Sequence, residues 1–124
     1  MRPIATRGQL SKRERQAIHA KTSGHCAYCG CDLPYARMQV DHIMPLANGG
    51  ADETANMLPA CRSCNHYKGT LTLERFRRCI EQWPDVLMRD SVTFRNAVRF
   101  RQVERTPHAV RFFFEDNTTG GHQP

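Results

Sequence analysis

The sequence predicts an α+β fold in which a short antiparallel hairpin is flanked by helices, and three observations carry that prediction. Two Cys-x-x-Cys pairs, Cys26/Cys29 and Cys61/Cys64, bracket the strand-like residues 37–43. An Asn48-Gly49-Gly50 turn signal separates those residues from a second apolar run at 56–60. Beyond Gly69 the spacing becomes helical, with Leu73, Phe76, Ile80 and Trp83 recurring along one face.

The first ten residues show no period and are expected to form an arm. Ser11 and Glu14 then make a capping box, so a helix is predicted over 12–22, with Gly24 ending it. His25 to Gly30 enters a tight turn whose glycine permits a metal knuckle. Residues 37–43 and 56–60 supply the hairpin, joined by a long loop of functional character. A short helix is predicted from Arg62 to Gly69, and a further one from Thr72 that Pro84 should end. Ser91 to Arg101 reads as another helix, and Val110 to Glu115 as a short strand or a buried apolar run. The expected organisation is one domain over 1–124: a core at about 24–69, a basic arm and helix before it, and a largely helical extension over 70–124.

Hydrophobic residues make up 40% of the 124 and charged residues 24%, values that point away from disorder, collagen and membrane proteins. No stretch approaches the roughly 20 apolar residues of a membrane span, and the basic N-terminus lacks a secretory pattern, so a cytoplasmic location is expected. The net charge of +6 is unevenly spread: +5 over residues 1–25, −1 over 26–69 and +2 over 70–124. Basic flanks around an acidic middle suit a polyanionic partner held beside carboxylates that bind a cation. A merely solvated surface is the plain alternative.

Two tight turns carrying two thiolates each satisfy the tetrahedral demand of structural zinc, with Cys26, Cys29, Cys61 and Cys64 as ligands. Such a closed site contributes folding free energy and no chemistry. Cys31 sits outside the favoured spacing, and Cys79 reads as a small core residue. His25 could replace a cysteine, whereas His19, His108 and His122 show no partner pattern. At least two of Phe112, Phe113 and Phe114 should pack internally, with stacking on bases as the alternative.

Between the cysteine pairs run Asp41-His42-Ile43-x-Pro45, the Gly49-Gly50 turn, Asn56-x-Leu58, and Cys64-Asn65 followed by Lys68-Gly69. In this order the segment, about 24–69, resembles the HNH endonuclease family, in its cysteine-bearing form with Asn in place of the final His. The resemblance implies a ββα-metal fold in which two strands and a helix converge on one ion. It implies that Asp41 and Asn65 ligate a catalytic Mg²⁺ or Mn²⁺ and that His42 is the general base. Asn56 would orient His42. The implied product is DNA cut to 5′-phosphate and 3′-hydroxyl ends, with nicking expected of a single site. Imidazole titrates near neutral pH, which suits a base that accepts a proton from attacking water.

Lys68, His66 and Arg62, on or near the turn that bears Asn65, are candidate phosphate contacts. The expected partner is DNA, with no membrane, and the chain acting as a monomer or homodimer. The alternatives are an inactive zinc-containing nucleic-acid-binding module and a structural ribbon that binds protein. No base-reading set stands out, and the basic segments 1–25 and 89–111 speak only of phosphate affinity.

Overall fold

The computed structural model describes residues 8–117, in the order α1 (Lys12–Ala20), β1 (Gln39–His42), β2 (Met57–Ala60), α2 (Arg62–Lys68), α3 (Leu73–Asp90), α4 (Val92–Arg99) and α5 (Phe113–Asn117). Residue contacts sort the chain into two compact units. The described parts of Met1–Leu73 and Arg111–Pro124 form one, and Glu74–Val110 forms the other.

In the first unit, α1 begins as its sequence demands. The Ser11 side chain accepts from the Glu14 amide at 3.1 Å, and the Glu14 carboxylate accepts from the Ser11 amide at 2.9 Å, satisfying two otherwise unpaired donors. Ile18 is the buried residue of this helix, and it joins Leu33, Met38, Val40 and Met57 in the main apolar cluster. Burying side chains of this size contributes about 1.5–3 kcal/mol each. His19 does have a partner: its Nε2 lies 2.6 Å from the Leu33 carbonyl and its ring meets Tyr35 edge-on.

β1 and β2 pair antiparallel, Gln39 opposite Ala60 through His42 opposite Met57. Both faces of this small sheet are covered, which is why the sequence alternates only in part. Val40 joins the cluster under α1, while its neighbour Asp41 meets Lys68 of α2. Pro59 is tolerated because a two-stranded sheet has open edges, and its carbonyl accepts from the Ala27 amide at 2.8 Å.

The loop between the strands is tied down throughout. Asn56 Oδ1 accepts from the Met44 amide at 2.9 Å, and its Nδ2 donates to the carbonyls of Met44 and Ala51 at 2.9 and 2.8 Å. Gly49 adopts φ 87°, which disfavours a side chain by conformation, and a Cβ on Gly50 would lie 1.8 Å from the Met44 carbonyl oxygen, so position 50 has no room for one.

Val110 to Glu115 is not a strand; among the described residues the sheet has two strands. The Phe113 and Phe114 amides donate instead to the carbonyls of Tyr28 and Ala27, at 3.1 and 2.8 Å, so this backbone pairs with the first knuckle and then turns into α5. The aromatic residues pack rather than present a stacking platform: Phe112 is buried, Phe112 and Phe114 flank Tyr28, and Phe113 lies against His25.

In the second unit Pro84 does not end its helix; α3 runs on to Asp90. A proline there removes one backbone bond and crowds the preceding turn, a cost of about 3 kcal/mol. The returning segment braces the helix on both sides of it. The Val110 amide donates to Glu81 at 2.8 Å, Arg77 donates to the Val110 carbonyl at 2.7 Å, and Arg105 pairs with Asp85. Only Phe76 of α3 is fully buried, while Leu73 and Ile80 are half-buried and Trp83 is 39% exposed, so its apolar stripe is less of a core than its spacing predicts. Ser91 caps α4, its hydroxyl accepting from the Phe94 amide at 3.0 Å.

Candidate functional site

The four predicted cysteines meet. Their sulfur atoms all lie within 4.8 Å of one another, with Cys29 and Cys61 at 4.0 Å. A tetrahedron with metal–sulfur bonds of about 2.3 Å has edges of about 3.8 Å, so the group is compatible with zinc. The Cys61 amide points at the Cys26 sulfur at 3.3 Å and the Cys64 amide at the Cys61 sulfur at 3.4 Å, as donors that stabilise thiolate charge. The thiol of Cys64, directed at Cys26, holds Cys26 below the ordinary thiol range, and the same contact pushes Cys64 up. Four thiolates at this spacing repel one another, and a dication resolves that conflict. Cys31 and Cys79 stand outside the group, as does His25, whose Nδ1 lies 3.2 Å from the Gly30 carbonyl.

The second cluster lies where β1 ends beside α2. Asp41, His42 and Asn65 line one open depression of about 270 Å³, together with Val40, Pro45, Leu46, Ala47, Gly69 and Thr70. Asp41 arrives on β1 next to its last residue, His42, and Asn65 on α2 immediately after Cys64. The cysteine cluster therefore sets where Asn65 begins.

Asp41 is firmly held. Its Oδ2 lies 3.0 Å from the Lys68 ammonium and accepts a hydrogen bond from the Tyr28 hydroxyl. Burial, and then the neighbouring Asp41 charge, push the Tyr28 phenol well above its ordinary range, so it stays protonated and donates. Lys68 is 0% exposed and also donates to the His42 carbonyl at 2.8 Å. This corrects the expectation that Lys68 meets a phosphate: its charge is spent inside the protein. His66 and Arg62 remain on the exposed surface of α2.

His42 Nε2 lies 2.9 Å from Asp52 Oδ1. Asn56 was expected to orient His42, but its side chain instead binds Met44 and Ala51, holding the loop that carries Asp52. Sequence reasoning missed Asp52 and Tyr28. The available signals were an acid two residues past the Gly49-Gly50 turn and an aromatic inside a metal knuckle.

Four clustered cysteines, a two-stranded hairpin and a following helix that bears on an Asp-His-Asn depression define a small α+β core. Residues 26–81 match the family model described as HNH endonuclease. Over 45 residues the chain is 40% identical to the CRISPR-associated endonuclease Cas9 of Corynebacterium diphtheriae, covering 36% of this chain and 4% of that protein. It is 34% identical over 59 residues to the type IV methyl-directed restriction enzyme EcoKMcrA of Escherichia coli, covering 40% of this chain and 21% of that protein. Among solved structures, the type II-C Cas9 enzyme from Actinomyces naeslundii superposes with a TM-score of 0.50 at 26% identity, over 59% of this chain and 9% of that one. The chain thus spans only a small part of the length of these relatives. No described helix is long and apolar enough to cross a membrane.

Proposed function

We propose that this protein is a DNA endonuclease that hydrolyses phosphodiester bonds with a divalent cation, its hairpin and helix held together by zinc. The observation that carries the reading is the convergence of Asp41, His42 and Asn65 on one depression. Hard cations such as Mg²⁺ and Mn²⁺ take oxygen donors, and Asp41 and Asn65 supply a carboxylate and an amide oxygen. Both contacts to Asp41 are made at Oδ2, which leaves Oδ1 for the ion. When bound, such an ion supplies charge stabilisation for the scissile phosphate and the departing 3′ oxygen.

The chain's own residues do the remaining work. His42 accepts the proton from the attacking water, and that water attacks phosphorus, leaving 5′-phosphate and 3′-hydroxyl ends. Tyr28 and Lys68 hold the Asp41 carboxylate in place. Exposed Lys12 and Arg13 on α1, with Arg62 and His66 on α2, offer cationic or polar groups to the phosphate backbone. One such site cuts one strand, so nicking is the elementary event. One observation favours a second reading, a nucleic-acid-binding module without cleavage: the Lys68 ammonium already neutralises Asp41 and opposes a second cation there.

Supercoiled plasmid separates the two. With Mg²⁺ or Mn²⁺ the wild type should convert it to open circles, and His42→Ala should not, while keeping its fold and zinc content. Retention on DNA with no cutting by the wild type would select the binding module instead.

A further inference from the structure

The His42 imidazole and the Asp52 carboxylate are both largely withdrawn from solvent, their side chains 10% and 21% exposed, and they face each other at 2.9 Å. An ionised carboxylate only accepts hydrogen bonds, so the ring nitrogen facing it, Nε2, carries the hydrogen. In a neutral imidazole the lone pair then resides on Nδ1. The loop is built to deliver this carboxylate. Asn56 binds the carbonyl of Ala51, the residue before Asp52, and both backbone groups of Met44, while Gly50 makes the close approach beneath the Met44 carbonyl. The Gly8 amide donates to the other oxygen, Asp52 Oδ2, so both ends of the carboxylate are engaged and its rotation is restricted.

We infer that Asp52 is a positioning residue for phosphodiester hydrolysis: it holds the His42 ring in one orientation with the proton on Nε2 and presents Nδ1 as the atom that accepts the proton from water. This rests on the reading of His42 as the base. It also gives Asn56 its task, since the amide acts on His42 through the loop and Asp52. Asp52 touches neither phosphate nor cation in this scheme.

The test compares wild type with Asp52→Asn and Asp52→Ala in two measurements, the ¹⁵N shifts of the His42 ring and the plasmid nicking rate. An asparagine must turn its donating NH2 group toward either the Gly8 amide or the ring, so it no longer fixes the proton on Nε2, and alanine offers nothing. Wild type should show the single Nε2–H tautomer, whereas Asp52→Ala should show averaged tautomers and Asp52→Asn a shift toward the Nδ1–H form. For Asp52→Ala, kcat should fall about tenfold, part of the hundredfold or more that a positioned base contributes, with KM within about twofold. Asp52→Asn should lose at least as much kcat, because a ring that accepts at Nε2 carries its proton on the nitrogen meant to receive one from water. Either variant with wild-type ring shifts would overturn the inference, as would an Asp52→Ala protein that nicks at the wild-type rate. Failure of the wild type to nick would count against His42 as base, while the ring shifts would still decide whether Asp52 sets the tautomer.

Discussion

The two units of this chain solve the problem of small size in opposite ways. The first relies on strands of four residues each, too short to stand alone, and on a seven-residue helix. Its order comes from cross-links between distant residues: four sulfurs, a buried Lys68–Asp41 pair, and an asparagine that binds three backbone groups. The second builds on an 18-residue helix and a capped 8-residue one, and leaves Trp83, Val86, Leu87 and Phe100 substantially exposed. Where short strands must be held in register, the fold uses clustered sulfurs and buried polar bonds; elsewhere helical periodicity suffices.

The sharpest way to break this contrast is to remove a ligand. Cys61→Ser, or chelation, should forfeit stabilisation on the order of 10 kcal/mol, more than a unit of this size can spare. Hydrogen exchange should then show lost protection at Asp41 and Leu58, which face each other in the ladder, with helical amides of α3 less affected; simultaneous loss throughout would mean that the two units melt as one. Lys68→Met comes next. It strands a buried carboxylate and should cost about 3–5 kcal/mol in denaturant unfolding, much of it recovered when Asp41→Asn is added. An unchanged midpoint would mean that the pair contributes nothing. The smallest effect belongs to the second unit: Ser91→Ala removes the cap of α4 and should cost about 1 kcal/mol, seen as faster exchange confined to that helix. Loss of nicking in that variant would contradict the separation of tasks between the units.

Much of the first unit was legible because its features are local. The Ser11–Glu14 box, the two knuckles and Gly69 after α2 each declare themselves within a few residues, and the ordered Asp-His, Asn and Asn positions carried the family resemblance. What escaped depended on contacts between residues far apart in the chain. Lys68 looks like a surface cation until Asp41, 27 positions earlier, is found against it. Asp52 looks like a loop acid until the loop folds over His42. Pro84 is a helix breaker by every local rule, and the helix persists through it because residues 105 and 110 return to bind Asp85, Glu81 and Arg77. The Val110–Glu115 run has strand composition, but the backbone donors it offers find knuckle carbonyls rather than a sheet edge.

Gly50 shows how far such dependence reaches. Its missing methyl group is a structural part in its own right, since any carbon placed there would collide with the peptide that Asn56 grips. An alanine at this point would push that peptide aside and carry Asp52 with it, so a change that adds no charge, no donor and no acceptor would unseat the imidazole of a residue eight positions upstream.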